Sequence, residues 1–171
     1  MVHNFDPILI DFGILQIRWY SLAYIFGILI GWWYGKILIN KQTDNLDQKK
    51  YTENFDDLIG FIIIGVVVGG RLGYVFFYNP NFYFENFLEI FKLWKGGMSF
   101  HGGLLGVIFS IYIFSKIRNL NFKLYFDTIS CVSPIGILFG RIANFINSEL
   151  YGIPTERSWA VIFPLVDNLP H

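Results

Sequence analysis

Residues 140 to 152 read GRIANFINSELYG, an apolar helical pattern that fills with polar groups as it ends. Arg141, Asn144, Asn147, Ser148 and Glu149 all fall within it, and Pro134, Ile137, Arg141, Asn144 and Ser148 share one face while helix persists. A guanidinium flanked by neutral amides suits a phosphate, which it grips through paired hydrogen bonds. The competing reading of Arg141 is an arginine snorkelling to a membrane surface. His101 stands in GGMSFHGG, where the glycines leave room for a ligand. Its imidazole titrates near neutrality, as a proton acceptor requires, although an interfacial histidine can equally be structural. Arg71 lies inside an apolar run, so it needs either a phosphate or internal carbonyl or carboxylate partners. Asp127 reads as an interfacial or packing carboxylate, and Cys131 as a small buried side chain and not a nucleophile. No phosphate-binding loop, zinc helix, nucleophile elbow or cysteine pair is present, so neither a metal nor a cofactor is expected.

These side chains need elements to carry them, and the composition says which. Of 171 residues, 54% are hydrophobic and 15% charged, well below the roughly 25% charged of a soluble domain. Lysine and arginine balance aspartate and glutamate at 13 each and form no basic stripe, so nucleic acid is not an expected partner. Apolar runs near the roughly 20 residues that a spanning helix requires occur over about 20–39, 58–78, 98–115 and 124–146. The expected fold class is therefore all-α, a polytopic transmembrane helix bundle of about four spans forming a single membrane domain over 1–171. The start, MVHNFDPILIDFG, lacks the basic region and small-residue cleavage site of a signal peptide.

Cationic residues set the expected orientation. Lys36, Lys41, Lys49 and Lys50 follow the first span, and Lys116, Arg118 and Lys123 follow the third, so these loops face the cytoplasm. The N-terminus then lies outside, as does the polar segment 147–171. On that topology Tyr20, Arg71, His101, Arg141 and Asn144 come to the outer half of the membrane from four different helices. Gly65, Gly69 and Gly73 form a ridge opposite Arg71, Tyr74 and Tyr78, and Tyr20, Tyr24, Gly27, Gly31 and Gly35 line one side of the first span. Such ridges serve close helix packing. Between the second and third spans, residues 82–95 place Phe84, Phe87, Leu88, Phe91 and Trp94 on one face, with Glu85, Glu89 and Lys92 on another, which predicts an amphipathic interfacial helix.

GRIANFINSELYG resembles the signature of bacterial prolipoprotein diacylglyceryl transferases, and every fixed position of that signature is met. IRWYS, GGRLGYVFFY and GGMSFHGGLLG resemble further stretches of the family in the same order, so the resemblance covers nearly the whole chain. It implies transfer of diacylglycerol from phosphatidylglycerol to the lipobox cysteine of a prolipoprotein signal peptide, forming a thioether and releasing glycerol phosphate. It also implies a site on the outer side of the bacterial cytoplasmic (inner) membrane. Tyr20, His101, Arg141, Asn144, Glu149 and Gly152 match the family's essential positions, and Arg71 is a further polar position in a shared motif. The implied catalytic residues are His101, Arg141 and Tyr20, with His101 or Tyr20 as the base. Arg141, Asn144, Arg71, Asn147, Glu149 and Gly152 would bind phosphatidylglycerol. Ser21 departs from the family's usual glycine. Family members continue beyond DNLPH into more spans, so the expectation is a fragment with little or no activity of its own. The rival readings are an anion transporter and an anionic-lipid-binding membrane protein without transferase activity.

Overall fold

The computed structural model describes residues 1–13 and 16–171, with Asn45 described by its backbone. Two short strands, β1 (Ile8–Asp11) and β2 (Gln16–Arg18), pair antiparallel ahead of helix α1 (Trp19–Gln42). Helix α2 (Asn45–Phe77), a short α3 (Pro80–Glu85), two 3₁₀ turns (Phe87–Phe91 and Leu93–Lys95), α4 (Phe100–Arg118) and α5 (Phe122–Ile146) follow. Among the described residues, α1, most of α2, α4 and α5 are long and apolar enough to cross a membrane. The chain is thus a mostly helical multi-pass membrane protein. The β1–β2 pair is an addition that the apolar pattern did not announce.

Helix ends follow local chemistry. Ser99 caps α4, its Oγ accepting the Gly102 N–H at 3.2 Å, and Asn119 closes the helix in the left-handed conformation that asparagine tolerates. Lys116 and Arg118 sit in the last turn of α4, where cations complement the helix dipole. Helix α2 begins at Asn45, well before the apolar run opens at Leu58, so the lysine-bearing segment joins the helix. Pro80 stands in the first turn of α3, the position where a missing N–H costs nothing.

The chain divides into two compact units, residues 35–130 and residues 1–34 with 131–171, and α1 and α5 contribute to both. In the first, the glycine ridge of α2 meets α4 directly. A Cβ built on Gly73 would stand 2.7 Å from the Gly102 Cα, and one on Gly69 would stand 2.9 Å from the Gly106 Cα. Nothing larger than hydrogen fits, so backbone lies on backbone and dispersion holds the pair where no water is available to drive association. Beside this seam Phe55, Leu58, Ile111, Phe114 and Tyr125 are buried, and the Tyr125 hydroxyl donates to the Tyr51 carbonyl at 2.9 Å. Lys36 pairs with Asp56 and Arg118 with Asp57, each at 2.9 Å.

In the other unit the ridge of α1 lies on α5: a Cβ on Gly27 would approach the Gly136 Cα to 3.2 Å. The residues after α5 fold back beside the chain start, with Val2 bridged to Ile162 and the His3 N–H donating to the Ile162 carbonyl at 2.9 Å. His3, Ala160 and Phe163 are buried there. Ile25, Phe26, Leu29, Ile137 and Leu138 remain exposed on the helix surfaces, as acyl-chain solvent requires.

Two expectations are corrected. Residues 82–95 do not form one amphipathic helix. The α-helix stops at Glu85 and gives way to two 3₁₀ turns, in which the Glu89 carbonyl accepts from the Lys92 N–H at 3.2 Å and the Lys92 carbonyl from the Lys95 N–H at 3.1 Å, and Arg71 donates to the carbonyls of Glu89, Ile90 and Lys92 as well. Cys131 is exposed, not buried; it is its neighbour Val132 that turns inward against Gly31.

Candidate functional site

The polar cluster at the end of α5 is built by the helix coming apart. The Asn147 N–H still bonds the Ala143 carbonyl at 2.9 Å, and the Glu149 N–H reaches back to the Asn144 carbonyl at 2.8 Å. Ser148, Leu150 and Gly152 then take positive φ values of 56°, 54° and 90°. Only the last is glycine, so the segment holds two L-residues in a conformation they seldom adopt. The zigzag folds Glu149 back over the helix end. Its carboxylate accepts from the amide of Asn144 at 3.1 Å and from that of Asn147 at 3.5 Å. Glu149 is also close enough to Tyr24 for its charge to act on the phenol, and the Tyr24 hydroxyl meets that of Tyr20 at 3.4 Å. The fold thereby gathers Tyr20, Asn144, Asn147 and Glu149, with Tyr24 as a member that sequence reading placed on the stripe without assigning it a role.

Arg141 stands on this cluster differently from the amides. It is exposed, and its guanidinium makes no hydrogen bond or ion pair among the described residues. Glu149 is taken by the asparagines, which leaves the five N–H donors of Arg141 for something else. Together with Asn144, Glu149, Tyr151, Trp159 and His171 it lines a hollow of about 300 Å³. This is a cation beside an open cavity, flanked by amides and aromatic rings.

Around that hollow pack residues with no legible signal in the sequence, of which His171 lines it and His3 touches its Phe145 wall. His3 packs edge-on against Phe145 at 5.0 Å, and its Nδ1 lies 3.3 Å from the Ser148 Oγ. The His171 ring sits 4.8 Å from Tyr151, and its Nε2 meets the Asp167 carboxylate at 3.0 Å. Asp167 titrates below the ordinary aspartate range, first because the Leu169 N–H bonds it and then because of His171. An isolated histidine near either end of a chain carries no spacing pattern, and only the return of the segment after α5 brings these groups under Arg141's neighbours.

In the unit of residues 35–130, His101 is the second residue of α4, exposed, with its ring edge-on to Phe100 at 5.6 Å. It stands at the Ser99 end of an apolar groove of about 900 Å³ that runs along α2 and α4 past Leu72, Leu105 and Phe109. Arg71 is only 4% exposed. Its Nε donates to the Ile90 carbonyl at 2.8 Å, Nη1 to Gly96 at 2.6 Å and Gly97 at 3.1 Å, and Nη2 to Glu89 at 2.6 Å and Lys92 at 3.4 Å. The Tyr83 ring lies 5.1 Å from the guanidinium carbon. Glu89 turns its carboxylate the other way, to Lys92 and Lys95, whose hydrogen bonds hold it below the ordinary glutamate range.

The chain matches known proteins along almost its whole length. The family model for prolipoprotein diacylglyceryl transferase matches residues 7–171. A relative from Rickettsia bellii (strain OSU 85-389), named phosphatidylglycerol–prolipoprotein diacylglyceryl transferase, is 51% identical over 169 residues, which is 98% of this chain and 63% of the relative. Relatives of the same name from Rickettsia felis and Rickettsia canadensis are 48% and 47% identical over 167 residues, with the same coverage. The chain thus spans 63% of the length of these relatives.

Proposed function

The chain belongs to the prolipoprotein diacylglyceryl transferase family, and from that premise we propose that it carries the lipid-phosphate end of a diacylglyceryl transfer reaction. The lipid is phosphatidylglycerol and the acceptor is the lipobox cysteine of a prolipoprotein signal peptide. The thiolate sulfur attacks the glycerol carbon that bears the phosphate ester. A carbon–sulfur bond forms as the carbon–oxygen bond breaks, and the electron pair of that bond leaves with the oxygen of glycerol phosphate. The phosphate departs with one more negative charge than it had in the lipid, and the thiol proton passes to a base.

Arg141 answers the charge that grows on the leaving phosphate. Donors aimed at developing charge in a water-poor site are the largest catalytic contribution of most enzymes of this kind. The observation that carries this reading is the unengaged guanidinium of Arg141 beside a hollow, with Glu149 already taken by Asn144 and Asn147. Asn144 and Asn147 hold Glu149 in place, and Gly152 lets the chain turn at the φ of 90° that closes the segment. His101 accepts the thiol proton, since the thiolate is the attacking species. The apolar groove that begins at His101 has the character of an acyl-chain seat. Tyr20, its hydroxyl 3.4 Å from that of Tyr24, is the alternative base. The membrane is the bacterial inner membrane, with the N-terminus and the Arg141 cluster outside.

The test is a transfer assay in membranes carrying the chain extended to the full length of its relatives, supplied with phosphatidylglycerol and a lipobox peptide. Thioether product with released glycerol phosphate is the expected result. Arg141→Ala should lower turnover by about 10²–10³-fold, as the loss of a charge-stabilising donor does elsewhere. Unchanged turnover in that variant ends the phosphate assignment, and anion flux without product replaces the transferase by a transporter.

A further inference from the structure

Arg71 has spent every donor it owns on the backbone. A guanidinium carries five N–H groups, and those of Arg71 go to the carbonyls of Glu89, Ile90, Lys92, Gly96 and Gly97. The flat face of the group is covered by Tyr83. A phosphate could reach it only by unseating the segment 89–97. The preceding residue grips the same stretch of chain: the Gly70 carbonyl accepts the Ser99 N–H at 2.8 Å, and Ser99 in turn caps α4. Gly97, with φ of 83°, seats against this pair without a side chain; a Cβ there would stand 2.6 Å from the Tyr74 ring and 3.0 Å from the Arg71 Nη1. Residues 70 and 71 therefore fix residues 96–99 at adjoining points, and His101 follows two residues later.

We infer that Arg71 is a positioning residue, which locks the 89–97 segment and the first turn of α4 so that His101 is presented at one place and angle. It is not a phosphate ligand. A burial that would be expensive for a lone cation is offset by carbonyl dipoles, the solution open to an arginine and closed to a lysine, whose three donors radiate from a single atom. The anchoring stands by itself, whereas its link to turnover rests on the transferase reading.

Arg71→Lys and Arg71→Gln, made in the chain extended to the full length of its relatives and reconstituted in phosphatidylglycerol nanodiscs, separate the possibilities. Hydrogen exchange should show loss of amide protection over 89–99 in both variants, while α5 keeps its protection and so reports an intact remainder. Turnover should fall by about 10²-fold, as for a group misplaced by an ångström, with KM for the lipid unchanged. In a His101→Ala background, Arg71→Lys should cause no further fall. Retained protection and turnover in Arg71→Lys overturns the inference, as does a raised lipid KM at constant kcat, the signature of a lost binding contact. If no form turns over, the transferase reading fails and the exchange measurement alone decides the anchoring.

Discussion

Arg71 and Arg141 carry the same group in opposite circumstances. Both stand within apolar helical runs, and both match stretches shared with one family, yet one is saturated by backbone and the other is unengaged. Sequence position announced that each needed a partner; it could not say that the partners of Arg71 lie up to 26 residues away in a segment of 3₁₀ turns and glycines. Glu149 is a similar case. Its place in the signature left its partners open, and the amides of Asn144 and Asn147 are what reach it. Gly152 is the position whose residue type is dictated most locally. At φ of 90° a Cβ meets the backbone, so Gly152→Ala should destabilise the segment by about 1–2 kcal/mol. Thermal unfolding in detergent would read this as a lowered Tm, and an unshifted Tm would mean that the turn accepts an L-residue without strain.

At the scale of elements, the two glycine ridges were legible because small residues at helical spacing serve mainly to bring backbones together. The α2–α4 seam illustrates the sensitivity of such packing. Gly102→Leu would drive a side chain into the Gly69 carbonyl and should abolish the folded protein recovered from membranes, whereas Gly60→Ala, which meets nothing within 4 Å, should leave recovery unchanged. Equal recovery of the two variants would show that α2 and α4 do not rely on this contact. The segment between α2 and α4 was less legible. Its amphipathic spacing is present, and Phe84, Leu88, Phe91 and Trp94 are indeed exposed. Periodicity, however, records where side chains fall if a helix forms, not whether one does. Here the backbone runs as 3₁₀ turns whose carbonyls also accept from Arg71.

For the molecule as a whole, the charge pattern makes a prediction about sides. In a Cys131→Ser background, Asp44→Cys and Asn121→Cys should react with an impermeant thiol reagent only from the cytoplasmic side, and Asn79→Cys only from the other. Labelling of Asp44→Cys and Asn79→Cys from the same side would overturn the topology. The membrane class, the approximate helices and the family signature were all determined by sequence alone, because an apolar solvent leaves the backbone few alternatives to helix and because the signature is contiguous in the chain. What only the tertiary structure decided was the state of each polar group: which cation is saturated, which carboxylate is already held, and that His3 and His171 lie under the turn after α5. Those depend on hydrogen bonds between residues far apart in the chain, and a polar side chain in apolar surroundings is satisfied by whichever partner the fold brings within about 3 Å, a distance that no local pattern encodes.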